Sequence, residues 1–246
     1  RVISFSAAIS ASEKGGQWVR ALRILADMRE ENLEPNVICF NSATSACAKS
    51  GEFDWALALI QEMKWGHIEP NTISYSAAMS ACDRGEQWEH ALNLLWTMQH
   101  QGCRPNAITY TAAISACEKS HQPGQALQLL GEMRQQRLRP DVVTQNAPIS
   151  ACGKQWKLAL WMLREMCEHG VELSAINYSA VISACEKGQK WGTALHLLDW
   201  MSQLGVVPDT IACNAAISAC EAGGHWLAAL RLQPSMATRR LTMDVI

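Results

Sequence analysis

The chain has 246 residues, 48% of them hydrophobic, and its 21 Lys and Arg against 23 Asp and Glu leave a formal net charge of −2. That balance excludes a uniformly basic protein that coats nucleic acid by charge alone. No run approaches the roughly 18 apolar residues of a spanning helix, so a membrane protein is not expected.

In chain order the sequence falls into seven repeats: Val2 to Asn36, Val37 to Asn71, Thr72 to Asn106, Ala107 to Asp141, Val142 to Ser174, Ala175 to Asp209 and Thr210 to Asp244. Six have a period of 35 residues, and the fifth lacks two residues at Gly153-Lys154-Gln155-Trp156. Ala-Leu recurs from Ala21-Leu22 to Ala229-Leu230, with Met six residues after each Leu. Such a period marks one supersecondary unit that cannot bury its apolar face alone and therefore stacks. The predicted fold is all-α, a solenoid of about seven helix-turn-helix repeats forming one elongated domain. Arg1 stands before the first repeat without an initiator Met, and Val245-Ile246 match the opening Val37-Ile38, which reads as a slice of a longer array.

The third repeat shows the plan. Tyr75, Ala78, Met79 and Cys82 lie at i, i+3, i+4 and i+7, one stripe of a first helix, and Ala91, Leu92, Leu95 and Met98 form the stripe of a second. The turn Asp83-Arg84-Gly85-Glu86 separates them, its Gly read as a helix stop, and Pro105-Asn106 ends the repeat by stopping one helix and capping the next. Cys47, Cys82, Cys117, Cys152, Cys185 and Cys220 share one register and read as small packing residues, since no Cys-x-x-Cys pair exists. Trp18, Trp88, Trp156, Trp191 and Trp226, with Phe53, open the second helices and read as wedges between repeats rather than a base-stacking platform.

Candidate chemistry lies in three recurring positions. The fifth residue of each repeat is Ser, Asn or Thr: Ser6, Asn41, Ser76, Thr111, Asn146, Ser179 and Asn214. The last is Asn, Asp or Ser: Asn36, Asn71, Asn106, Asp141, Ser174, Asp209 and Asp244. Short hydrogen-bonding groups of this kind suit the reading of base edges, while helix capping explains the last position equally well. A basic residue closes the first helix in six repeats, Lys14, Lys49, Arg84, Lys119, Lys154 and Lys187, either as a ridge for phosphates or as a response to the helix dipole. No phosphate loop, nucleophile elbow or metal-ligand spacing is present, so neither catalysis nor a cofactor is expected.

At these residues the chain resembles the pentatricopeptide-repeat family: 35-residue helical hairpins, a first helix ending in Ser-Ala-Cys, Ala-Leu and Met in the second, and a closing Pro-Asn or Pro-Asp. The resemblance implies a right-handed superhelix that binds single-stranded RNA, one base per repeat, with the amino terminus at the RNA 5′ end; a literal base code of this kind is known for such repeats. It implies that the fifth and last residues choose the base: Ser6 with Asn36 adenine, Asn41 with Asn71 a pyrimidine leaning to cytosine, and Ser76 with Asn106 adenine. Thr111 with Asp141 then implies guanine, Asn146 with Ser174 cytosine, Ser179 with Asp209 guanine and Asn214 with Asp244 uracil, giving 5′-A-Y-A-G-C-G-U-3′.

The second residues, Ile3, Ile38, Ile73, Ile108, Val143, Ile176 and Ile211, would sandwich neighbouring bases. A mitochondrial or chloroplast role in RNA processing follows from the resemblance alone, and protein partners would engage regions outside this sequence. Pro148 and Leu173 are expected to displace the fifth repeat's pair, and Pro234 to interrupt the last helix. The rival from another class is a tetratricopeptide-like protein scaffold, disfavoured because its Trp-x-x-Leu-Gly-x-x-Tyr pattern is absent.

Overall fold

The computed structural model describes residues 1–168, 173–230 and 232, and every regular element among them is a helix. The elements are α1 (Val2–Lys14), α2 (Trp18–Glu30), α3 (Val37–Ser50), α4 (Phe53–Trp65), α5 (Thr72–Arg84), α6 (Trp88–His100) and α7 (Ala107–Lys119). They continue with α8 (Pro123–Gln135), α9 (Val142–Ala151), α10 (Trp156–Glu168), α11 (Ala175–Lys187), α12 (Trp191–Gln203) and α13 (Thr210–Ala222), after which residues 226–230 are again helical. Odd-numbered helices open the repeats and even-numbered ones close them. Pro234 and Asp244 lie outside the described residues.

The described residues form two compact bodies, one of Arg1–Ser120 with Gln125–Thr144, the other of His121–Gly124 with the described residues from Gln145 onward. In the first body α1, α3, α5 and α7 pack side by side in order, and α2, α4 and α6 each lie against the following repeat's first helix. In the second, α11 packs on α13, and α10 and α12 each lie against the next first helix.

First helices begin where the sequence stops the preceding helix with proline and supplies a cap. Asn36, Asn71 and Asn106 take extended backbone and accept the backbone N–H of Cys39, Ser74 and Thr109, meeting donors that a helix start leaves without partners. At their far ends glycine stands as the cap after Ser50 and Arg84, left-handed at Gly51 but not at Gly85. Gly85 has an ordinary φ of −82°, and the left-handed residue is the next one, Glu86 at 58°. What Gly85 provides is room: a Cβ there would stand 2.8 Å from Phe53 Cδ1. Gly188 faces Trp156 and Gly223 faces Trp191 in the same way, each with a Cβ distance of 2.7 Å. Phe53, Trp156 and Trp191 thus wedge onto the end of the following repeat's first helix, while Trp226 is exposed.

The second-helix stripe is Ala91, Leu94, Leu95 and Met98, all buried, whereas Leu92 is only half-buried. Leu92 lies about 100° around the helix from Ala91, and the i, i+3, i+4, i+7 set is the one that faces the stack. Tyr75, Tyr110 and Tyr178 fill the first-helix core. The six cysteines in register are buried and free. Burial pushes the thiols of Cys47, Cys117, Cys152 and Cys185 up to about 11 and that of Cys82 to about 12, so they pack as neutral groups.

Helix α9 has 10 residues where its counterparts have 13 or 14. Pro148 lies inside it, and Cys152 and Gly153 close it by donating three residues back, to Ile149 and Ser150. Proline removes one ladder donor, and the tighter turn absorbs the two-residue deletion.

Candidate nucleic-acid interface

The second residues of the seven repeats share one environment. Ile3, Ile38, Ile73, Ile108, Val143, Ile176 and Ile211 all sit in the first turn of an odd-numbered helix and are 50% to 85% exposed. Helix geometry turns the second position away from the fourth, where Phe40, Tyr75, Tyr110 and Tyr178 are buried. A β-branched aliphatic residue left in water at every repeat is surface that a flat apolar face could cover.

The fifth and last residues meet at the same end of these helices. Asn41 Nδ2 donates to Asn71 Oδ1 at 3.4 Å, and Ser179 Oγ, 2.7 Å from the Ala175 carbonyl oxygen of its own helix, lies 2.8 Å from Asp209 Oδ1. Asn36, Asn71, Asn106, Asp141 and Asp209 also cap the helix that follows, so their capping is real. Hydrogen bonds from the Thr144 side chain and backbone N–H hold the Asp141 carboxyl below the usual carboxylate range. Ser76 Oγ donates to the Thr72 carbonyl within its own helix, Ser6 lies 3.0 Å from Cys39 Sγ, and Asn214 sits half-buried on α13.

Sequence reasoning missed the third residue of the repeat. Ser74, Thr109, Thr144 and Asn177 are polar and no more than 2% exposed. Ser74 Oγ donates to Asn41 Oδ1 at 2.6 Å, Thr144 Oγ1 lies 3.0 Å from Thr111 Oγ1, and Asn177 Nδ2 donates to Asn146 Oδ1. Each of these three joins the fifth residue of the repeat before it to the cap of its own helix. The signal was present as the capping spacing Asn71-x-x-Ser74, Asn106-x-x-Thr109 and Ser174-x-x-Asn177. The same bridge corrects the expectation for the fifth repeat: Asn146 and Ser174 are both tied to Asn177, with Ser174 Oγ 3.0 Å from Asn177 Oδ1, so the pair is not pulled apart.

The basic residues lie elsewhere. Lys49 is eleven residues beyond Ile38 on α3, about 16 Å along the helix axis. Lys49 Nζ pairs with Glu13 Oε1 at 3.1 Å and Lys119 Nζ with Asp83 Oδ1 at 3.0 Å, each reaching back to the preceding repeat. Arg84 Nη1 donates to the Lys49 carbonyl oxygen. All six basic residues are exposed, and at these three positions the charge also ties repeats together. Among the described residues no three His, Cys, Asp or Glu side chains cluster as a metal site, and no helix is long and apolar enough to cross a membrane.

A pentatricopeptide repeat domain model matches residues 1–50, 23–84, 93–155 and 161–223, which is most of the chain. This chain belongs to the pentatricopeptide-repeat family. The hairpin stack agrees: the crystal structure of the pentatricopeptide repeat protein PPR10 from maize superposes with a TM-score of 0.66 at 21% identity, over 98% of this chain and 40% of that one. PPR10 in complex with an 18-nt psaJ RNA element gives a TM-score of 0.60 at 24% identity, over 99% and 34%. The pentatricopeptide domain of Arabidopsis thaliana protein-only RNase P 1 in complex with tRNA gives 0.56 at 15% identity, over 68% and 89%. The chain therefore spans well under half the length of the PPR10 chains it matches. A search of curated protein sequences gives no match.

Proposed function

We propose that this chain binds single-stranded RNA in a sequence-selective way, one base per pentatricopeptide repeat, with 5′-A-Y-A-G-C-G-U-3′ as its preferred site. The observation that carries this reading is the coincidence of exposed aliphatic second residues with paired fifth and last residues at one end of the first helices. An aliphatic side chain offers a base a dry face, and stacking of bases on protein platforms is worth about 1 to 3 kcal/mol on aromatics, with aliphatics at the low end. The polar pair then meets the base edge, where an unmatched donor or acceptor costs about 1 to 3 kcal/mol.

Solved complexes of PPR10 with an RNA element and of the RNase P 1 domain with tRNA support RNA as the ligand class. The ion pairs of Lys49 and Lys119 reduce the charge available to phosphates, so selectivity is expected to exceed salt dependence. Fluorescence anisotropy with labelled A-C-A-G-C-G-U RNA, a scrambled RNA and the matching DNA, at two salt concentrations, tests the reading. Selective binding of the first supports it. Equal or absent binding by folded protein overturns it in favour of a protein scaffold.

A further inference from the structure

At two repeat junctions the count of protons fixes which way a fifth-position amide points. Ser74 Oγ accepts the backbone N–H of Asn71 at 3.1 Å and has one proton of its own to give. Its nearer acceptor is Asn41 Oδ1 at 2.6 Å. The other, Asn71 Oδ1 at 3.1 Å, already accepts from the backbone N–H groups of Ile73 and Ser74. The proton therefore goes to Asn41, whose oxygen is held toward the next repeat and whose nitrogen gives one N–H to Asn71 Oδ1 at 3.4 Å and keeps a second.

Asn177 reaches the same result by different chemistry. Its Oδ1 is taken by the Ser174 backbone N–H at 2.8 Å and the Ser174 hydroxyl at 3.0 Å, which leaves its amide nitrogen to donate to Asn146 Oδ1. In both cases the need of the helix-capping residue's own N–H for an acceptor sets the polarity of a side chain in the preceding repeat.

Building on the base reading proposed above, we infer that the third residue of a repeat is a positioning residue for the specificity of the repeat before it, with Ser74 holding Asn41 so that an amide N–H rather than an oxygen meets the base. Cytosine presents an acceptor at N3, where uracil presents N3–H, so an outward donor selects cytosine. The undecided pyrimidine of the second repeat becomes C. The device is absent where the third residue cannot bridge: Thr109 sends its hydroxyl proton to the Asn106 carbonyl oxygen at 2.8 Å, and position 212 is alanine.

The test is the affinity ratio for A-C-A-G-C-G-U against A-U-A-G-C-G-U RNA, read by anisotropy. The wild-type chain is expected to prefer C by roughly three- to tenfold. Ser74→Ala should bring that ratio to about one, whereas Ser74→Thr, the residue that bridges to Thr111 from position 144, should keep it. Thr109→Ala breaks an equivalent cap and should leave the ratio untouched, which separates positioning from mere helix capping. A folded Ser74→Ala protein with the wild-type ratio overturns the inference. A wild-type chain indifferent to every base would refute the base reading itself and this inference with it.

Discussion

Ser179 Oγ and Asp209 Oδ1 stand 2.8 Å apart although thirty residues separate them, bringing the fifth and last residues of the sixth repeat to one point. The same Asp209 oxygen accepts the backbone N–H of Ala212 at 2.7 Å. Capping and base reading are therefore compatible uses of one side chain, because the carboxylate caps with Oδ1 and has a second oxygen.

Asp209→Asn tests that double use. Asparagine caps as well as aspartate, so unfolding free energy should change by no more than about 0.5 kcal/mol. The sixth base should move from G toward A, because guanine offers donors at N1 and N2 where adenine has an acceptor at N1. A shift of roughly three- to tenfold in relative affinity is expected. Anisotropy with RNAs altered only at the sixth base measures it, and an unchanged preference for G excludes Asp209 from base selection.

Ile73 is 63% exposed, so it contributes little to the fold. Ile73→Ala should leave the melting temperature within the range of ordinary surface substitutions. RNA affinity should fall roughly three- to tenfold, the effect of losing about 1 kcal/mol of apolar contact. A loss of affinity without loss of stability identifies a ligand-facing residue; the reverse pattern would make it a packing residue.

Gly188 and Gly192 lie four residues apart and should respond oppositely to alanine. A methyl at Gly188 meets Trp156 Cδ1 at 2.7 Å, so Gly188→Ala should destabilise by about 1 to 3 kcal/mol as the wedge is pushed out. Gly192 is inside α12 with open space around it, and Gly192→Ala should stabilise by about 0.5 to 1 kcal/mol. Urea titration of the two variants separates these signs.

Cysteine alkylation reports the core. Cys167 is exposed, whereas Cys82 is fully buried with its thiol pushed up to about 12. Iodoacetamide near pH 8 should therefore label Cys167 in the native protein, and the six cysteines in register only after unfolding. Rapid native labelling of Cys82, mapped by mass spectrometry, would contradict a closed stack in the first body.

Most of the hairpin was legible because helix period and capping chemistry are local. Asn71 announces a helix start, and the recurrence of Cys82 in register announces burial, with no knowledge of what packs against either. The sequence is less legible where a position's role depends on the next repeat. Gly85 follows the end of α5 as its cap, and it is also an opening for Phe53, thirty-two residues earlier. Lys49 is paired with Glu13 of the preceding repeat, a tie that its register alone does not show. Ser74 attracted no notice because a small polar residue in a first turn has many uses.

The sequence by itself determined the all-helical repeat, its register and the identity of the fifth, last and second residues, since a repeated pattern records which side chain occupies each turn of each helix. Tertiary structure decided which of those side chains touch. Ser74 reaches Asn41 and Asn177 reaches Asn146 only because stacking sets one first helix beside the next, bringing residues 33 and 31 positions apart within hydrogen-bond distance. Direction follows from the same stacking: once a helix cap claims one end of a bridging side chain, only the other end is left for the neighbour, and that allocation of protons exists only in the folded array.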